Sequence, residues 1–175
     1  MKQIKLLLTF LLFISFVPAF VLAQNEIERE RISLEGLQEF GFTANIEGSR
    51  TIADSETLTP SVIRQDAINR LLNADLRYVA DEEVHSSADI PFLYMHINAM
   101  EMENGLIPFS IELRLYQPVK LTLNRDMQTS ASTWETGMVG LVSYDRLPVI
   151  NQAAQNLLDT FIEDYHQSNR SRSRN

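Results

Sequence analysis

The sequence contains no cysteine. That excludes disulfides, thiolate metal sites and a cysteine nucleophile, and it leaves no lipid-accepting cysteine behind an export signal, so an N-terminally lipidated protein is not expected. Lysine is almost missing too, present as Lys2, Lys5 and Lys120, and the other cations are arginines. The formal net charge is −8, and without Lys2 and Lys5 it is −10. So acidic a chain repels phosphate backbones and anionic membrane surfaces, which argues against nucleic-acid partners. The three histidines, His85, His96 and His166, have no close pair, so no zinc site is expected. Gly48 stands alone in the Gly48–Leu58 loop, where a phosphate cradle needs several glycines at fixed spacing. Ser61, Ser110 and Ser143 lack the glycine-flanked elbow that exposes a serine nucleophile. No cofactor and no metal is predicted.

Only one stretch, near the start, is apolar enough to concern a membrane. Lys2 and Lys5 precede an apolar run over Leu6–Phe16, Pro18 breaks it, and Val21-Leu22-Ala23 supplies the small residues of a cleavage site. Residues 1–23 are therefore read as a signal peptide; the run is shorter than the ~20 residues of a spanning helix, which disfavours a retained anchor. A periplasmic or secreted location follows. A disulfide-free exported chain suits a bacterial envelope better than a eukaryotic secretory route. About 150 residues remain, enough for one core. The expected organisation is a flexible lead-in over 24–31, one α+β domain over 32–168 and a disordered, arginine- and serine-rich tail over 169–175.

The domain is organised around Pro91–Leu123. Leu93, Met95, Ile97 and Ala99 alternate with Tyr94, His96 and Asn98, and Phe109, Ile111, Leu113 and Leu115 alternate with Ser110, Glu112, Arg114 and Tyr116. A period of two makes each run a strand with one apolar and one polar face. Asn104-Gly105 lies between the runs as a hairpin turn. A two-residue turn pairs residues whose numbers sum to about 209, or 210 with a bulge; the latter sets His96 opposite Arg114 and Asn98 opposite Glu112. Pro118 demands an edge or a bulge. A first strand is expected within Ser33–Glu47, a short one within Leu76–Ala80, and a last one over Ser132–Val142 with Trp134. The Asp81-Glu82-Glu83 cluster is read as a solvated turn, since the spacing and glycine of a calcium loop are missing.

Two amphipathic helices cover the apolar face. The first opens with Thr59 as cap and Pro60 in the first turn, and carries Val62, Ile63, Ala67, Ile68, Leu71 and Leu72 at helical spacing. The second, from about Leu147 to Gln167, carries Leu147, Ile150, Ala154, Leu157, Phe161 and Tyr165, with Asp145 as a cap or N-terminal charge. The expected fold is thus a two-layer α+β domain, a mainly antiparallel sheet of four to five strands with both helices on one face.

The polar hairpin face gathers the only constellation of functional groups. Tyr94, His96, Arg114 and Tyr116 are the candidate binding residues. Catalytic residues are not expected; the alternative is a small hydrolase or ligand-binding enzyme in which His96 and Glu112 form an acid–base pair. Cross-strand polar pairs also occur simply because one sheet face is wet. The order of strand, helix at Thr59-Pro60, hairpin beginning Phe92-Leu93-Tyr94-Met95, Thr133-Trp134 strand and closing helix ending Phe161-Ile162-Glu163-Asp164-Tyr165 resembles small exported bacterial proteins of uncharacterised function. More distantly it resembles α/β modules of envelope proteins, the N-terminal domain of the Tol-system periplasmic protein and the curli-secretion lipoprotein, from which the missing cysteine departs. The resemblance implies a module that acts through contacts, with an envelope protein or a second copy as partner and no catalytic residues.

Overall fold

A computed structural model describes residues 27–80 and 89–170. The expected signal peptide, the Asp81-Glu82-Glu83 turn, His85 and the tail beyond Arg170 lie outside the described residues. The elements are a helical turn α1 (27–32), β1 (Glu39–Gly48), α2 (Arg50–Ala53), α3 (Pro60–Asn73), β2 (Arg77–Tyr78), β3 (Phe92–Ala99), β4 (Leu106–Lys120), β5 (Gln128–Ser143) and α4 (Pro148–Asn169), the last preceded by a 3-10 turn at Tyr144–Arg146. The fold is α+β, with a five-stranded sheet in the order β2-β1-β3-β4-β5. The sheet is more mixed than its sequence pattern suggests: β1 runs parallel to both β2 and β3, while β4 is antiparallel to both β3 and β5. The connection from β1 through α3 to β2 returns the chain in the same direction, which is what lets a strand pair be parallel.

The apolar underside of the central strands is real. Leu93, Met95, Ile97, Ala99, Ile107, Ile111, Leu113 and Leu115 are fully buried, in one cluster with Ile63, Ala67 and Leu71 of α3 and Ile150, Ala154, Leu158 and Phe161 of α4. Each large aliphatic so covered contributes on the order of 1.5 to 3 kcal/mol. Thr59 caps α3 as expected, its hydroxyl accepting from the Val62 amide at 3.2 Å with Pro60 in the first turn. Leu72, read as part of the stripe, points outward. Helix α4 starts on Leu147 without a side-chain cap, and Asp145 instead accepts from the Ser143 hydroxyl in the preceding turn.

Several boundaries differ from the sequence expectation, each for a local reason. The strand sought over Ser33–Glu47 begins only at Glu39. Residues 33–36 form a turn with Gly36 at φ 78°, and Leu34 reaches the core from that turn rather than from a strand. Within the lead-in expected over 24–31, which could be frayed or a short helix, residues 27–31 are helical, and Arg31 Nε donates to Asp164 Oδ1 at 2.9 Å. Asn169, assigned to the tail, is the last residue of α4, and its amide bridges the Leu34 carbonyl and the Gly36 amide. The polar loop after β1 holds α2 because Ile52 and Leu58 are both buried. Strand β5 starts at Gln128, four residues before the Ser132 expected from the sequence. Among the described residues β4 has no ladder partner on its β3 side beyond Tyr116, so Pro118 sits where a missing amide costs no ladder bond there. A bulge between Leu115 and Tyr116 in the β4–β5 register lets Trp134 enter the core. Gly140 accommodates a ring: a Cβ there would meet Phe109 Cζ at 2.4 Å, so the cross-strand phenylalanine lies over it.

Candidate functional site

The hairpin joining β3 to β4 sets the geometry of the polar face. Its loop has three residues, Glu103, Asn104 and Gly105, closed by the Gly105 amide donating to the Met102 carbonyl at 2.9 Å and the Met102 amide to the Leu106 carbonyl at 2.8 Å. Gly105 takes φ 75°, the left-handed conformation of a three-residue loop with a glycine bulge. Paired residue numbers therefore sum to 208, not 209 or 210. His96 lies opposite Glu112, Tyr94 opposite Arg114 and Asn98 opposite Ser110. The pairs His96 with Arg114 and Asn98 with Glu112 do not form, because the extra loop residue slips the register.

Strand order brings in neighbours from both sides. Thr43, Asn45 and Glu47 of β1 share this face beside Tyr94, His96 and Asn98, and Glu135 of β5 stands beside Arg114. Phe92, half-buried at the start of β3, stacks on Tyr116 with ring centroids 5.2 Å apart and an interplanar angle of 16°. Tyr94 meets Tyr116 edge-on at 6.4 Å and lies over His96 at 6.0 Å. Four rings thus form one aromatic patch across the two central strands. Such offset and edge contacts contribute ~0.5 to 1.5 kcal/mol per pair beyond buried area.

Arg114 is the electrostatic centre. Its Nη2 lies 2.8 Å from Glu112 Oε2 and its Nε 3.3 Å from Glu135 Oε2. A hydrogen bond with Tyr116, and then the charges of Glu112 and Glu135, hold its guanidinium above the ordinary value against the cost of desolvation. The structure thus gathers Tyr94, His96, Arg114 and Tyr116 on one surface. It places His96 and Glu112 as cross-strand neighbours, but the Glu112 carboxylate is turned to Arg114, and Glu47 Oε2 lies 4.0 Å from His96 Nε2. The Tyr94 hydroxyl lies 3.4 Å from His96 Nδ1.

Phe92, Glu47 and Glu135 belong to this face and were not singled out from the sequence. Phe92 does continue the even-numbered phase of Tyr94 and His96, a signal that was present. Glu47 and Glu135 depend on which strands flank the hairpin, which periodicity does not encode. Among the described residues both long helices lie on the opposite face, and the polar face is open: the side chains of His96 and Glu112 are 23% and 45% exposed. A polar cleft of about 410 Å³ lies elsewhere, lined by residues such as Gly36, Asp75, Arg77 and Tyr165, and shares no residue with the face. No group of three or more histidine and carboxylate side chains able to hold a metal occurs among the described residues. No helix among them is long and apolar enough to cross a membrane.

No protein-family model matches the chain. No curated protein matches it either. Among solved structures it is similar to a PelC variant dodecamer from Paraburkholderia phytofirmans, at 10% identity over 74% of this chain and 90% of that one, with a TM-score of 0.38, a degree of likeness that says nothing of function.

Proposed function

We propose that the chain is an exported, envelope-associated domain that acts by protein–protein contact rather than by catalysis, with the open sheet face around Tyr94, His96, Arg114 and Tyr116 as its contact surface. One observation carries this: a patch of four contacting rings and a clamped guanidinium sits on the two central strands, whose other face is the buried core, and both long helices are packed on that other side. Tyrosine and arginine on a rigid support provide large contact area with little conformational entropy to lose, which is why such residues dominate binding hot spots. Export is supported by the charge, apolar run and small residues of Met1–Ala23. The hydrolase alternative finds less support, because Glu112 is engaged by Arg114 and neither it nor His96 lines the polar cleft.

A photo-crosslinking amino acid placed at position 94 or 116 in producing cells tests the proposal. A discrete adduct from these two positions, and none from the exposed Asn156 on α4, is expected. Equal labelling from all three, or none from 94 and 116, would refute it. If His96→Ala abolished a hydrolytic activity of the purified protein, the catalytic alternative would replace it.

A further inference from the structure

The edge of the sheet differs from its face. Strand β5, Gln128–Ser143, is sixteen residues long and pairs on one side only, with β4, among the described residues. Soluble proteins blunt such edges with lysine, proline, inward charges or shortness, because an open ladder is a template for another strand. From Glu135 to Ser143 none of these is present: the stretch contains one charged residue, Glu135, which is engaged by Arg114, and no proline, and the bulge and the Ser33 hydroxyl bound to the Thr133 carbonyl lie before it. Val139 is 80% exposed and Leu141 57% exposed on the outer face, with Met138 partly exposed on the other.

We infer that β5 pairs antiparallel with β5 of a second copy of this chain, joining the two sheets about a two-fold axis. The choice of a second copy as occupant rests on three properties of the edge. On the opposite side of the sheet β2 covers only Glu39 and Phe40 of β1, so among the described residues that edge is stepped between two strands, whereas β5 offers one continuous edge that an isologous, closed pair uses on both copies. A chain this acidic repels its own copy over most of its surface, and β5 is the long stretch where charge is scarce. The strand is also complementary to itself when centred on Val139. Residues opposite each other must share a face, so Gly137 meets Leu141, Gly140 meets Met138 and Glu135 meets Ser143. Small residues face large ones on both faces, and no like charges are opposed. This pairing concerns the edge and goes beyond the proposed role of the face.

The absence of native cysteine makes the test clean. The protein purified from producing cells should show twice the monomer mass by light scattering at micromolar concentration, and Val139→Cys should give a covalent dimer on oxidation while Asn156→Cys does not. Val139→Lys replaces an exposed side chain, so the monomer keeps its fold by circular dichroism, while the two like charges at the axis return the mass to that of one chain. Monomeric wild-type protein at all concentrations, a dimer unchanged by Val139→Lys, or equal crosslinking at 139 and 156 each overturns the inference. Crosslinks from position 94 that persist in Val139→Lys separate the face from the edge, so either assignment can fail alone.

Discussion

Phe161 is the residue on which the two layers depend most directly. It is fully buried on α4, with its ring edge-on to Phe40 of β1 at 5.3 Å and to Trp134 of β5 at 5.1 Å, so a single side chain ties the helix to strands on both sides of the hairpin. Phe161→Ala removes a ring that the surrounding strands cannot collapse to replace, and a loss of about 3 to 5 kcal/mol is expected. A domain of this size is stable by ~5 to 15 kcal/mol, so the variant forfeits a large share of that. Phe161→Leu keeps most of the apolar volume and loses the ring contacts, for about 1 to 2 kcal/mol. Trp134, the sole tryptophan, is buried, and its indole nitrogen donates to Asp164 Oδ2 at 3.1 Å, so its fluorescence reports directly on this junction. With a urea slope of about 2 kcal/mol per molar, the alanine variant should unfold at a midpoint roughly 2 M lower, and the leucine variant less than 1 M lower. A loss below about 1 kcal/mol for Phe161→Ala at unchanged slope would mean that α4 does not seal the sheet, and the two-layer argument would fail.

Two further perturbations isolate smaller effects. Gly105→Ala meets no atom within 4 Å of the added Cβ, so its cost is the left-handed backbone alone, about 1 to 2 kcal/mol by urea unfolding; an unchanged midpoint would show that the loop does not need its glycine bulge. The Tyr165 hydroxyl donates to the Leu37 carbonyl at 2.8 Å, and burial raises its pKa. The unfolded chain then ionises first, so this contribution is whole below the ordinary tyrosine range, near about pH 10, and is lost as pH rises through the higher folded value. Tyr165→Phe should cost about 1 kcal/mol at neutral pH and flatten the alkaline loss of stability; an identical alkaline slope in both proteins would contradict the assignment.

Much of the architecture is legible from residues alone, because burial on one side of an element imprints a period. The alternation in Leu93–Ala99 and Phe109–Leu115 identifies the core face of both strands, and Thr59-Pro60 marks the start of α3 through its cap chemistry. Where burial comes from a turn, as at Leu34, or from one or two anchors, as at Ile52, the signal is too short to show a period. Asp164 carries no sequence signal at all, yet it holds both the Arg31 guanidinium and the Trp134 indole.

By itself the sequence determined that the central hairpin has one apolar and one polar side, that two helices roof the former, and that Tyr94, His96, Arg114 and Tyr116 share the latter, because alternation and helical spacing are local consequences of backbone geometry. Only the tertiary structure decided which groups touch. The three-residue loop set the register two residues away from the pairing that places His96 opposite Arg114 and exchanged the partners on the face, and the parallel placement of β1 beside β3 brought Glu47 to His96. Register and strand order follow from loop closure and from packing between elements far apart in the chain, and neither leaves a mark on the period of a single strand.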